Sequence, residues 1–206
     1  MAQMIPNIVS PDIKSNAERK IFSWFRNDPK TVDWVVLHSL GISQHRKFIC
    51  GETDFLVLVP NRGLFALEVK GGRVARKDGK WIYTDKYGNT HSKPRGPFEQ
   101  AKDSIFSIIN KIKRTPDLSC RNLRNVFFGF GVMFPDIEYE ASGVDEEQSQ
   151  VFDVRDGHKV GEFVERLFSY YQAKWERLHG SIEVDRFPTH EDIKYIAGVL
   201  RPDFDF

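Results

Sequence analysis

The residues of this chain whose types and spacing could do chemistry gather in one stretch, Glu52-Thr53-Asp54-Phe55-Leu56-Val57-Leu58-Val59-Pro60-Asn61-Arg62-Gly63-Leu64-Phe65-Ala66-Leu67-Glu68-Val69-Lys70. Asp54, Glu68 and Lys70 stand at the ends of two otherwise apolar runs, Phe55–Val59 and Leu64–Val69. Charge in such surroundings is costly to bury without a reason. Two carboxylates beside one ammonium leave a net negative pocket, which suits a divalent cation better than a self-contained pair. The alternative is a structural ion pair at a strand end. Gly71-Gly72, immediately after the stretch, permits close approach of a ligand to the backbone.

A Pro-Asn-Arg-Gly turn between two β-branched and aromatic runs reads as a β-hairpin. Side chains alternate along a strand, so Glu68 and Lys70 share a face and Val69 points to the other. Asp54 joins the first face if the loop holds an odd number of residues. A three-residue loop Asn61-Arg62-Gly63, with Gly63 in the left-handed position, meets that condition. It sets Pro60 opposite Leu64, Leu56 opposite Glu68 and Asp54 opposite Lys70.

Asp54 followed fourteen positions later by Glu68-Val69-Lys70 resembles the PD-(D/E)xK nuclease signature, with Thr53 where that pattern often has Pro. More narrowly, Gly51–Leu58 and Gly63–Gly72 resemble the nuclease-related domain, NERD. Ala17-Glu18-Arg19-Lys20-Ile21-Phe22 upstream and Pro97-Phe98-Glu99-Gln100-Ala101 downstream extend the match. The resemblance covers roughly residues 15 to 135. E-x-K alone is a weak signal, whereas the ordered series with a helix on each side is more specific. The resemblance implies that Glu18, on the first helix, points into the active site, and that Gln100 lies at its mouth. It also implies frequent fusion to helicase modules. No GxxxxGK[ST] phosphate loop occurs in this sequence, so a motor is expected outside the chain, in cis or in trans.

With 206 residues, 40% hydrophobic and 29% charged, the chain is long enough for a globular core and is not of disordered composition. No run approaches the ~18–20 apolar residues of a membrane span, and Met1–Pro6 lacks the regions of a signal peptide. Cys50 and Cys120 are too few for a disulfide framework or a four-cysteine zinc site. A reduced, cytoplasmic setting follows as the expectation.

The net charge of +1 hides a strong asymmetry: residues 62–124 hold 15 Lys/Arg against 6 Asp/Glu. The basic block includes Arg73, Arg76, Lys77, Lys80, Lys86, Lys93 and Arg95, which together could track a phosphate backbone. A solvated face is the plainer reading of any charge run. Arg73, Arg76, Lys77, Lys93 and Arg95 are the candidate nucleic-acid contacts, with DNA expected ahead of RNA. His91 has no second His or Cys at metal spacing.

The remaining elements must position this site. Residues 1–14 read as an extended lead-in with breakers Pro6 and Pro11. Ser15-Asn16 caps a helix to about Arg26 whose stripe is Ala17, Ile21, Trp24 and Phe25, ended by Asn27-Asp28-Pro29. Asp33–Leu40 reads as a strand buried on both faces, followed by a loop, Gly41–Lys47, carrying His45, Arg46 and Lys47. A third partner of the hairpin is expected at Lys80–Thr84, with Trp81 and Tyr83 on one face, as core or as a surface for bases to stack on. Asp85–Pro97 reads as a loop.

Pro97 opens a helix to about Arg114 with the stripe Phe98, Ala101, Ile105, Ile108, Ile109 and Ile112. Thr115–Asn125 is a polar connection. Val126–Phe134 reads as an interior strand, its Gly129 and Gly131 marking close packing on a helix. An acidic segment, Asp136–Asp153, is expected as an exposed loop ending in a short strand near Val151–Val154. Helices are expected over His158–His179 and after an N-cap at Thr189, and two phenylalanines close the chain.

The fold expected is α/β: a restriction-endonuclease-like core, with a central mixed sheet, an antiparallel hairpin meander and flanking helices. Residues 15–135 form the catalytic core, with the acidic loop and C-terminal helices of 136–206 packed on it. In the mechanism expected, Asp54, Glu68 and the Val69 carbonyl hold Mg2+ or Mn2+, which binds a phosphate oxygen and activates water. Lys70 orients that water or stabilises transition-state charge. Glu18 takes a metal-bound water or a second ion, and Gln100 positions water or phosphate. The competing classes are a non-catalytic nucleic-acid-binding module and a protein-interaction appendage.

Overall fold

The hairpin forms, at the centre of a six-stranded mixed sheet. The computed structural model describes all residues except 12, 14, 41–52, 86, 121, 122, 145 and 202–206. The loop with His45, Arg46 and Lys47, the residue Cys50 and the terminal phenylalanines therefore lie outside the described residues. In chain order the strands are β1 (Gln3–Ile5), β2 (Val35–Leu40), β3 (Thr53–Val59), β4 (Gly63–Val69), β5 (Arg73–Lys77), β6 (Lys80–Thr84), β7 (Thr90–Lys93), β8 (Phe128–Phe134) and β9 (Val151–Asp153). The helices are α1 (Asn16–Asn27), α2 (Pro97–Arg114), α3 (Pro116–Cys120), α4 (Val160–His179) and α5 (His190–Leu200).

The large sheet has the order β1-β2-β3-β4-β8-β9. Its middle is the expected antiparallel meander, β2-β3-β4, while β1 joins β2, β8 joins β4 and β9 joins β8 in parallel. Parallel neighbours need a crossover, and β4 reaches β8 through the small sheet and α2. On one face Phe55, Val57, Phe65 and Leu67 pack with Ile21, Phe22 and Phe25 of α1 and with Phe163 and Leu167 of α4. On the other face Leu56, Leu58, Leu64 and Ala66 pack with Ile105, Ile108 and Ile112 of α2 and with Ile193 and Ile196 of α5. The result is a three-layer α/β/α arrangement, with each buried aliphatic or aromatic side chain contributing about 1.5–3 kcal/mol.

Several local expectations hold. Ser15 caps α1 by accepting the Glu18 N–H at 3.2 Å, and Thr189 caps α5 by accepting the Asp192 N–H at 3.2 Å. All six stripe residues of α2 are buried. A Cβ on Gly129 would stand 2.4 Å from the Tyr171 ring, and one on Gly131 would stand 2.9 Å from Leu167, so both glycines do admit α4 to the sheet.

Others are corrected. The lead-in contains an edge strand, β1, whose three residues are too short to show a period. In α1, Phe22 is buried and Trp24 only partly so, because the helix also packs toward β2. Lys80–Thr84 does not extend the central hairpin. It is the middle strand of a separate antiparallel sheet, β5-β6-β7, which takes in part of the supposed loop Asp85–Pro97. Trp81 and Tyr83 are core: they pack with Phe98, Val132 and Phe134. The acidic segment is not wholly exposed either, since Glu146 and Asp153 are buried.

The hairpin register differs from expectation by two residues. Leu56 pairs with Ala66 and Val59 with Gly63, so the loop is Pro60-Asn61-Arg62. Pro60 suits the second position of a turn closed by the Arg62 N–H to the Val59 carbonyl at 3.2 Å, and Asn61 takes the left-handed conformation at φ 57°. Gly63 is fixed differently. At φ 147° it opens β4 where a Cβ would come within 2.3 Å of the Phe127 carbonyl oxygen. The loop length stays odd, so the face assignment survives, and the register continued by one pair sets Asp54 across from Glu68.

Candidate active site

Asp54 is the second residue of β3 and Glu68 the last but one of β4, so the two carboxylates stand at one end of the sheet, on the face covered by α2 and the small sheet. The Asp54 carboxylate accepts the Val69 N–H at 2.7 Å. The ammonium of Lys70 donates to Glu68, whose side chain is almost wholly buried. Backbone groups alternate edges along a strand, and the Lys70 N–H is taken by Met133 of β8 at 2.9 Å. The Val69 carbonyl therefore faces the opposite edge, the one on which Asp54 sits.

The electrostatics are those of crowded acids. Burial pushes the Asp54 carboxyl well above the usual carboxylate range, and the Glu68 and Glu18 charges push it further, against Lys70 and the Val69 N–H. Burial likewise raises Glu68, with Lys70 opposing. Glu18, in the first turn of α1, thus acts on both carboxylates from across the end of the sheet. Its own carboxylate lies 3.4 Å from Nε2 of His38, a fully buried β2 residue. Sequence reading missed His38. The only signal was a polar residue inside an apolar strand.

The basic residues divide. In the small sheet, Arg76, Trp81 and Lys93 share one face, as do Val74, Tyr83 and His91 on that same face. Lys93 is close enough to Glu68 to oppose the rise of its pKa. Tyr83 is buried beside the acids: burial raises its phenol, and the Glu68 charge adds to the effect. Arg73, Lys77 and Lys80 are exposed on the outer face. Arg76 is engaged within the protein: it pairs with buried Glu146 at 3.1 Å and lies 5.6 Å from the Trp81 ring centroid. Arg95 is paired with Asp103. The α2 glutamine, Gln100, donates its amide to the Arg95 carbonyl at 3.3 Å instead of to a site carboxylate.

Gly71-Gly72 also has another use than ligand approach. A Cβ on Gly71 would stand 2.8 Å from that of Ala17 on α1, and Gly72, at φ 76°, would meet the Thr84 carbonyl oxygen at 2.4 Å. The pair lets α1 and β6 close on the end of β4.

A family model, that of the nuclease-related domain, matches residues 13–128. The chain belongs to the NERD family. The match takes in Glu18, Asp54, Glu68, Lys70 and Gln100, and ends as β8 begins. No curated protein and no solved structure matches the chain. The mixed sheet with flanking helices is consistent with a nuclease-like core for this NERD domain.

Among the described residues, no three His, Cys, Asp or Glu side chains stand at the spacing of a ready-made metal cluster. The NERD site offers instead two carboxylates and a main-chain carbonyl. That hard-oxygen set fits Mg2+ or Mn2+, which bind through one or two carboxylates and complete their shell with waters and substrate phosphate. No helix among the described residues is long and apolar enough to cross a membrane.

Proposed function

We propose that this NERD domain is a Mg2+- or Mn2+-dependent nuclease of PD-(D/E)xK type that hydrolyses phosphodiester bonds, with DNA as the substrate. The observation that carries the reading is the convergence of Asp54 and Glu68 at one strand end, both held above their ordinary pKa, with Lys70 on Glu68 and the Glu18 charge acting on both from the end of the sheet. Like charges crowded at a strand end are costly to the fold and call for a cation or a proton. Asp54, Glu68 and the Val69 carbonyl would hold the ion. It supplies charge neutralisation at a phosphate oxygen and Lewis-acid activation of water.

The chain's own groups supply the rest. Lys70, anchored on Glu68, presents its ammonium where a phosphate would enter, and stabilises the charge that grows on it as a water oxygen bonds to phosphorus and the ester P–O bond breaks. The proton lost by the water passes to solvent, and the leaving oxygen takes one up. Glu18 orients water at the rim. Lys93, and the exposed Arg73, Lys77 and Lys80, guide the phosphate backbone toward the carboxylates. A helicase module as partner, in cis or in trans, belongs to the same proposal and rests on the family resemblance.

The test is cleavage of duplex DNA, single-stranded DNA and RNA with Mn2+, Mg2+ or EDTA, for the wild type, Asp54→Ala and Glu68→Ala. Cleavage by the wild type with Mn2+, lost in both variants while DNA binding and the melting temperature in EDTA are kept, is the expected result. Equal cleavage by Asp54→Ala would refute the assignment. Binding without any metal-dependent cleavage by the wild type would make the domain a nucleic-acid-binding module.

A further inference from the structure

His38 occupies an odd position for an imidazole. Its side chain has 0% exposure, stacks on Phe55 at 4.6 Å between centroids and meets Phe22 edge-on at 5.4 Å. Nε2 faces Oε2 of Glu18 at 3.4 Å, and Nδ1 is buried without a hydrogen-bond partner among the described residues. A buried polar atom left without a partner costs stability. A phenylalanine would fill such an aromatic slot without that cost. The one thing the imidazole adds there is a donor aimed at Glu18.

Glu18 shows the complementary oddity. Ser15-Asn16-Ala17-Glu18 has the S-x-x-E pattern of a capping box, in which the glutamate side chain turns back to the N–H of the capping serine. Half of the box forms: Ser15 Oγ accepts the Glu18 N–H. The other half does not form, as the Glu18 carboxylate turns to His38 instead, with its side chain 17% exposed. The Glu18 charge adds to the raised pKa of both Asp54 and Glu68, so the three carboxylates repel one another, and without His38 this one is free to turn toward solvent or back toward Ser15.

We propose that His38 is a positioning residue that holds the Glu18 carboxylate at the rim of the Asp54–Glu68 site by donating Nε2–H to it. The inference rests on the nuclease reading for its effect on turnover, but the contact itself can be measured without activity. A carboxylate accepts only, so Nε2 carries the hydrogen and Nδ1 is left as a bare acceptor, the less costly of the two atoms to leave unmet. Arg201 supports the arrangement from outside by donating to the His38 carbonyl, which pins β2 at this residue. The ring therefore has little freedom to leave Glu18.

The test uses His38→Phe, His38→Gln, Glu18→Gln and the double variant Glu18→Gln/His38→Phe. His38→Phe is expected to lower kcat for Mn2+-dependent cleavage about 10- to 100-fold, the range found when an outer partner of a site ligand is lost, with KM unchanged. His38→Gln, which can still donate to Glu18, recovers part of kcat. The double variant is expected to be no slower than Glu18→Gln alone, because His38 acts only through Glu18. A wild-type kcat in His38→Phe, or full additivity in the double variant, overturns the proposal. Nitrogen-15 NMR of the imidazole supplies the readout that needs no catalysis, and it also serves if His38→Phe does not fold. In the wild type it should show protonated Nε2 and bare Nδ1, with the Nε2 resonance shifting in Glu18→Gln; an Nδ1–H tautomer overturns the contact. If the wild type cleaves nothing, the nuclease reading fails, and the NMR result still decides for or against the Glu18–His38 contact.

Discussion

Replacing Lys70 with methionine isolates the electrostatics of the site. Methionine keeps most of the side chain's apolar volume and removes the ammonium bonded to Glu68. Breaking a fully buried ion pair from one side costs about 3–5 kcal/mol, because the remaining charge is stranded. Here Glu68 is only 4% exposed, but the Lys70 side chain is 20% exposed and Lys93 still acts on Glu68. The expected loss at pH 8 is therefore about 2–3 kcal/mol, below the fully buried limit. For a chain of this size that is a fall of roughly 4–12 °C in melting temperature.

The pH dependence fixes the cause. Burial already raises Glu68 in the folded protein, and Lys70 opposes that rise, so its removal raises Glu68 further. A carboxyl whose folded pKa lies above its unfolded one favours the fold fully only below the unfolded pKa. That stability is lost as pH rises through the folded value. The deficit of Lys70→Met should accordingly shrink from pH 8 to pH 5, and Glu68→Gln/Lys70→Met should recover most of it at pH 8. Thermal melts in EDTA, followed by circular dichroism, measure all three. Equal melting of Lys70→Met and wild type at both pH values, or no rescue by the second substitution, would refute the picture of Glu68 as a buried anion held by Lys70.

Three further outcomes are expected. Gly129→Ala should destabilise the protein by about 1–3 kcal/mol, since its methyl would stand 2.4 Å from a Tyr171 ring tied by its hydroxyl to the Phe130 carbonyl; a melt unchanged from wild type would mean that α4 can move away. Arg73→Ala/Lys77→Ala should weaken DNA binding and flatten its salt dependence by about one unit of slope per lost phosphate contact, as read by filter binding over a salt series. Arg76→Ala should leave that slope unchanged and instead cost about 1–2 kcal/mol of stability, because its guanidinium serves Glu146.

What the amino-acid sequence determined by itself is what depends on near neighbours in the chain. The period of two through Phe55–Val69, broken by an odd turn, already put Asp54, Glu68 and Lys70 on one face, and a two-residue error in register left that intact because faces depend only on parity. Caps at Ser15 and Thr189, the α2 stripe and the paired glycines of β8 were readable for the same reason: each is a local pattern with one physical meaning. Only the tertiary structure decided which strands share a sheet. β5 and β7 are short, polar and exposed, so no burial period marked them, and β6 left the central hairpin for partners that the sequence did not single out. Tertiary contact also sorted the basic block, because a lysine near Glu68 and an arginine paired with Glu146 look alike until the chain folds. His38 shows the limit most plainly. Its meaning lies in a carboxylate twenty residues away in the chain, brought within 3.4 Å only when α1 packs on the sheet.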